Sequence, residues 1–251
     1  MKTEQDTALI TGGAGGIGHA LALRLQARGV RVAITSRDPA RLEGGAAELR
    51  LAVDATTPEG IAEAFAACRA AWGAPPRLLA HCIGTTLIAP LHRTTADQSR
   101  ELLRVNLNSA VFALGAWVDA LRQGGTGGAA VLMSSVVARV GVGNHEVIAA
   151  AKAGVEGLAR GAAATYAPQG LRVNVVAPGL TETPLSAGLT RQPEMRAAAA
   201  RQYPLPHAQG VQTADEVAAV IDWLLSSQAA RITGQVLPVD GGFTAIRPLV
   251  R

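Results

Sequence analysis

Thr11-Gly12-Gly13-Ala14-Gly15-Gly16-Ile17-Gly18 separates an apolar run at 8–11 from a helical pattern at about 17–28. Glycines there let the backbone turn tightly and come close to a diphosphate. The helix that follows offers unpaired N–H groups and the positive end of its dipole. A glycine run alone is a weak signal. Between a strand and a helix it predicts a dinucleotide site, with Gly12, Gly16, Ile17 and Gly18 against the phosphates.

Downstream of this turn, strand-like and helical patterns alternate. Strands are expected at 30–35, 51–53, 77–82, 129–133, 171–176 and 236–239. Helices are expected at 39–50, 59–72, 97–123, 149–167 and 214–226. Such alternation implies right-handed βαβ units and a parallel sheet covered on both faces. No repeat, low-complexity linker or shift in composition marks a second domain, so 1–251 reads as one dinucleotide-binding domain. The segment 185–210 has no clean period and reads as a lid over the site.

Composition narrows the function classes. The net charge is +4, but the arginines are scattered and aromatics make up 3% of residues, which argues against nucleic-acid binding. No apolar stretch approaches the roughly 20 residues of a membrane span, and the opening residues lack the pattern of a signal peptide. A cytoplasmic setting is expected. Cys68 and Cys82 fit a reducing compartment and have no metal-ligand spacing. Lysine occurs only at Lys2 and Lys152, which asks what an ammonium does at 152 that a guanidinium could not.

The glycine run resembles the TGxxxGxG pattern of the short-chain dehydrogenases/reductases. Further matches follow in order: Val105-Asn106-Leu107, Ser134-Ser135, Lys152, Arg172-Val173-Asn174, Ala177-Pro178-Gly179 and Val239-Asp240-Gly241-Gly242. The resemblance implies a doubly wound Rossmann-type α/β fold with about seven parallel strands, commonly a homotetramer. It also implies hydride transfer between a nicotinamide and a carbonyl or alcohol. NAD-preferring relatives place an acidic residue where Ser36 stands. Here Ser36 and Arg37 offer a hydroxyl and a guanidinium to a 2′-phosphate, so NADP(H) is the expected cofactor. By the same resemblance Asp54 contacts the adenine, Gly84 lets the backbone approach the cofactor, and Pro178, Gly179 and Thr183 border the nicotinamide. His81-Cys82-Ile83-Gly84 replaces the usual Asn-Asn-Ala-Gly, so an asparagine bridge is lost and His81 reads as structural.

The resemblance assigns catalytic support to Asn106, Ser135 and Lys152. Its proton-donating tyrosine belongs four residues before Lys152 and thirteen after Ser135, where this chain has Ile148. Nothing in 141–151 is a tyrosine, so no shift of register restores the motif. Three accounts stay open. His145, three residues before Ile148, would share its helix face if the helix reaches back that far, and histidine is a competent general acid. Alternatively, water or the substrate handles the proton. In the third account the chain is a silent NADP(H)-binding subunit or sensor that pairs with an active relative.

Overall fold

Strand β1 (Thr7–Thr11) alternates its side chains across the sheet, so that Leu9 joins one buried cluster while Ala8 and Ile10 join the other. The computed structural model describes residues 6–44, 47–122, 124–205 and 211–247. After β1 come α1 (Gly16–Ala27), β2 (Arg31–Ser36), β3 (Leu49–Ala52), α2 (Pro58–Trp72), β4 (Leu78–His81) and α3 (Ala96–Leu103). A π turn at Arg104–Asn108 joins α3 to α4 (Ser109–Leu121). The chain continues through β5 (Gly128–Met133), α5 (Glu146–Tyr166), β6 (Leu171–Pro178), β7 (Thr181–Glu182), α6 (Ala187–Thr190) and α7 (Pro193–Ala200). It closes with β8 (Gln212–Thr213), α8 (Ala214–Leu225) and β9 (Val236–Val239).

Seven parallel strands form one sheet in the order β3-β2-β1-β4-β5-β6-β9. The order reverses between β1 and β4, which opens a crevice at the carboxyl ends of those strands, where ligands of doubly wound sheets bind. Helices α2, α4 and α5 cover one face around the fully buried Trp117; α1 and α8 cover the other around Leu21, Leu25 and Ile221. This is the single-domain Rossmann-type α/β architecture expected from the sequence. A separate two-stranded ribbon, β7 with β8, sits beyond β6.

Three elements differ from the expectation. The single helix expected at 97–123 is interrupted by the π turn at Arg104–Asn108, and position 123 lies outside the described residues. The helix foreseen at 39–50 is a single 3-10 turn, Pro39–Leu42. Gly44 follows in the left-handed region (φ 65°), and Leu49 and Leu51 then alternate with exposed neighbours as strand β3. Positions 45 and 46 of that stretch lie outside the described residues. Helix α5 starts at Glu146 rather than near 149, because Val147 and Ile148 already face an apolar cluster.

Candidate active site

At the crevice, the glycine turn is fixed by contacts that other residues could not make. Gly12 has φ 73°, and its N–H donates to Thr35 Oγ1 at 3.1 Å, which ties the turn to β2. A Cβ on Gly18 would lie 2.5 Å from the Gly12 carbonyl oxygen. Helix α1 therefore begins tight against its own turn. Its N-cap, Gly15, supplies no side-chain hydrogen bond, and its first turn carries no carboxylate. The positive end of the helix is left for an external anion. A glycine cradle that a Cβ would fill, beside a helix start with no carboxylate of its own, fits a dinucleotide diphosphate.

The far wall is Thr183, whose methyl group would lie 2.8 Å from a Cβ on Gly16. Pro178 ends β6 and Gly179 follows it just before Thr183, so the glycine turn and the Ala177-Pro178-Gly179 motif meet across the crevice. Tyr203 closes in behind Gly179, its phenol oxygen accepting from Leu180 N at 2.6 Å. The expected lid carries α6 and α7. It is fastened by a two-pronged ion pair from Arg196 to Glu182 at 2.9 and 3.0 Å. Positions 206–210 of that segment lie outside the described residues.

At the end of β2, Ser36 Oγ accepts from Asp38 N at 3.1 Å, and Arg37 is exposed. Asp54 follows β3. Burial raises its carboxyl pKa, but hydrogen bonds from Thr56 Oγ1 (2.6 Å) and Thr56 N (3.0 Å), then the charges of Arg37 and Arg104, bring it below the ordinary value. Two contacts were not legible beforehand. Thr35 holds the turn, and Arg41, from the 3-10 turn, donates to the Ala14 carbonyl at 3.0 Å.

Gly84, Asn106 and Lys152 converge. A Cβ on Gly84 would lie 3.2 Å from Asn106 Oδ1 and 3.6 Å from Lys152 Nζ. Asn106, in the π turn, donates to the carbonyls of Leu102 and Thr85 and accepts from Thr85 N, so it anchors the backbone after β4. Lys152 is buried and donates to the Met133 carbonyl at 3.0 Å. Burial pulls its pKa down to about 8, weakly opposed by Cys82. Ser135 leaves β5 two residues after Met133, its Oγ accepting from Val137 N at 3.4 Å. The preceding Ser134 donates to Glu156 Oε1 at 2.9 Å, which clamps this strand end onto α5.

His81 restores a polar bridge in place of the expected asparagine. Ser109 Oγ gives its single proton to the Val105 carbonyl at 2.6 Å, so His81 Nε2–H must donate to Ser109 at 2.9 Å. Nδ1 then accepts from Thr11 Oγ1 at 2.7 Å. Burial, and then the Lys152 charge, drive the imidazole pKa down to about 3, so it stays neutral. The bridge joins β1, β4 and the π turn that carries Asn106. Burial likewise pushes the Cys82 thiol up to about 12, against any nucleophilic role.

One turn before Lys152, Ile148 is 5% exposed and packs with Leu102 and Ala151 against Leu87, Leu107 and Val137. His145 is itself the N-cap residue of α5, and Asn144 holds φ 64° just outside. His145 Nδ1 is 2.7 Å from the Gly143 carbonyl. A carbonyl only accepts, so Nδ1 carries the proton and Nε2 is the nitrogen that exchanges.

A family model described as Enoyl-(Acyl carrier protein) reductase matches residues 12–244. The chain is a short-chain dehydrogenase/reductase. Within this oxidoreductase family it is 35% identical to cis-4-hydroxycyclohexanecarboxylate dehydrogenase of Sinomonas cyclohexanicum, over 95% of this chain and 96% of that one. Among solved structures, a short-chain dehydrogenase/reductase from Mycobacterium ulcerans superposes with TM-score 0.89 at 30% identity, over 98% of this chain and 92% of that one. ElxO, solved with NADP bound, superposes with TM-score 0.86 at 26% identity, over 96% of this chain and all of ElxO. Among the described residues no helix is long and apolar enough to cross a membrane, and no group of His, Cys, Asp and Glu could hold a metal ion.

Proposed function

We propose that this short-chain dehydrogenase/reductase is an NADP(H)-dependent oxidoreductase acting on a carbonyl or alcohol, in which Ile148 occupies the place of the proton-donating tyrosine. The observation that carries the reading is the pairing of a glycine cradle shaped for a diphosphate with a neutral Ser36 and cationic Arg37 at the end of β2. ElxO, with NADP bound on the same fold, supports the cofactor assignment. Gly12, Gly16, Ile17 and Gly18 would hold the diphosphate, Ser36 and Arg37 the 2′-phosphate, and Asp54 the adenine. Gly84, Pro178, Gly179 and Thr183 would border the nicotinamide, and the segment 185–210 would close over the substrate.

The nicotinamide, when bound, supplies or accepts the hydride. Lys152 would hold the ribose hydroxyls beside it, and Ser135 would orient the substrate oxygen. Asn106 fixes the Gly84 backbone that flanks both. With an isoleucine at 148 no phenol delivers the proton. His145, one turn earlier with Nε2 as its exchangeable nitrogen, is assigned that role, in place of water or the substrate. The buried apolar packing of Ile148 favours a second reading, a silent NADP(H)-binding subunit.

Two further assignments go with the first. Ala153, Gly157 and Gly161 are exposed at four-residue spacing along α5, a face that a second helix could approach closely, which supports assembly as a homotetramer. The free cysteines support a cytoplasmic setting.

Calorimetric titration of the wild type and Arg37→Ala with NADPH and NADH tests the cofactor assignment. The expected result is NADPH binding at least tenfold tighter than NADH, with the preference lost in the variant. Binding of neither nucleotide would overturn it. Steady-state reduction of a ketone panel by His145→Ala then separates the donor histidine from water. A tenfold or greater loss supports His145; an unchanged rate removes it from the mechanism, and a wild type with no turnover supports the silent subunit.

A further inference from the structure

Arg41 belongs to no motif of the family pattern, yet it is aimed at the glycine turn. Asp38 caps the 3-10 turn, its Oδ1 accepting from Ala40 N at 3.0 Å. Leu42, at the end of that turn, is buried in the core cluster beneath α1. Pinned at both ends, the turn sends the Arg41 side chain across the mouth of the crevice, where Nη2 donates to the Ala14 carbonyl at 3.0 Å. The glycine turn has no cation of its own, since Ala14 and Gly15 occupy its tip.

Arg37 lies on the other side, close enough to Asp54 and Glu101 for its charge to lower both carboxyl pKa values. Those carboxylates already have partners. Glu101 takes two hydrogen bonds from Arg104 at 2.7 and 2.8 Å, and Asp54 takes two from Thr56. Among the described residues neither accepts a hydrogen bond from Arg37, and Arg41 has no carboxylate partner. Two exposed arginines four residues apart thus follow the end of β2 and Ser36, one of them reaching the glycine turn. A phosphate dianion binds such a pair through charge-assisted forks far stronger than a single arginine–carbonyl bond.

We infer that Arg41 is a specificity-determining residue that closes a two-arginine clamp with Arg37 on the 2′-phosphate, supplying from the 3-10 turn the cation that the glycine turn lacks. This inference rests on the NADP(H) reading proposed above.

The test is calorimetric titration of the full chain with adenosine 2′,5′-bisphosphate and with 5′-AMP, probes that need no turnover. The wild type is expected to prefer the bisphosphate at least thirtyfold. Arg41→Ala should weaken bisphosphate binding about tenfold and leave 5′-AMP within twofold, with an unchanged thermal midpoint confirming the fold. If Arg41→Ala weakens both probes equally, Arg41 only braces the turn and the inference fails. If Arg37→Ala loses the preference and Arg41→Ala does not, the inference also fails while the NADP(H) reading stands. A wild type that does not distinguish the probes would overturn both.

Discussion

The two ends of the crevice are built on different principles. The glycine turn is held by backbone: a positive φ at Gly12, and a helix start so close that Gly18 has no room for a Cβ. The mouth of α5 depends instead on individual side chains, each replaceable without disturbing the fold. Ile148 demonstrates this, since it fills its position with ordinary core packing. A fold of this kind can keep its nucleotide cradle intact while the chemistry at the opposite wall changes, because nothing in the sheet or its packing requires a hydroxyl at 148. The same separation explains why Lys152, Asn106 and Gly84 still converge one turn from an isoleucine.

Substitution at the rigid end should have the largest effect. Gly18→Val places a side chain where the Gly12 carbonyl already lies 2.5 Å from a Cβ. A clash of about 3 kcal/mol corresponds to roughly a hundredfold loss of nucleotide affinity, measurable by NADPH fluorescence titration. Unchanged affinity would show that the turn is not the rigid element described here.

The His81 bridge joins the two ends. His81→Ala leaves the Thr11 hydroxyl without its acceptor and takes one donor from Ser109 Oγ, and should cost about 2–4 kcal/mol in urea unfolding. His81→Asn can restore one of the two hydrogen bonds and should recover about half of that loss. If His81→Ala unfolds like the wild type, the bridge contributes nothing.

Lys152 reports on the side-chain end. Its pKa falls from 10.5 to about 8, chiefly through burial, so the fold disfavours the charged form. The unfolded chain keeps the proton between about pH 8 and 10.5 while the folded chain releases it. The resulting penalty is therefore complete below about pH 8 and fades as the pH rises towards 10.5. Lys152→Met should gain about 1–2 kcal/mol at pH 7, reduced by the Met133 carbonyl left without its donor, and the gain should shrink above pH 8. Thermal melts across that range check the sign. A variant less stable than the wild type at pH 7 would mean that the ammonium is well solvated in the fold.

Legibility followed the same division. The turn, the sheet and the order of the motifs could be read from the sequence because backbone geometry restricts residue types there to glycine and small or β-branched residues. The helix expected at 39–50 failed because Gly44 adopts a left-handed conformation and Leu49 pairs with Ala33 in the sheet. Long-range polar contacts were out of reach. His81 meets Thr11 from 70 residues away and Ser109 from 28, and no local pattern encodes such a bridge. Arg41 looked like one more scattered surface arginine until the turn that carries it was placed beside Ala14.

On the proposed function, a complete cofactor end faces a wall in which Ile148 stands where the resemblance places the proton-donating tyrosine. Comparing Ile148→Tyr with Ile148→Phe tests it most directly, by NADPH oxidation over a panel of ketones with NADPH affinity measured in parallel. The tyrosine variant is expected to turn over at least tenfold faster than the wild type, within the roughly 10²–10⁴-fold reach of general acid catalysis. The phenylalanine variant should show no gain, and both should keep NADPH affinity within twofold. An Ile148→Tyr variant that binds NADPH normally yet turns over no faster than Ile148→Phe would contradict it.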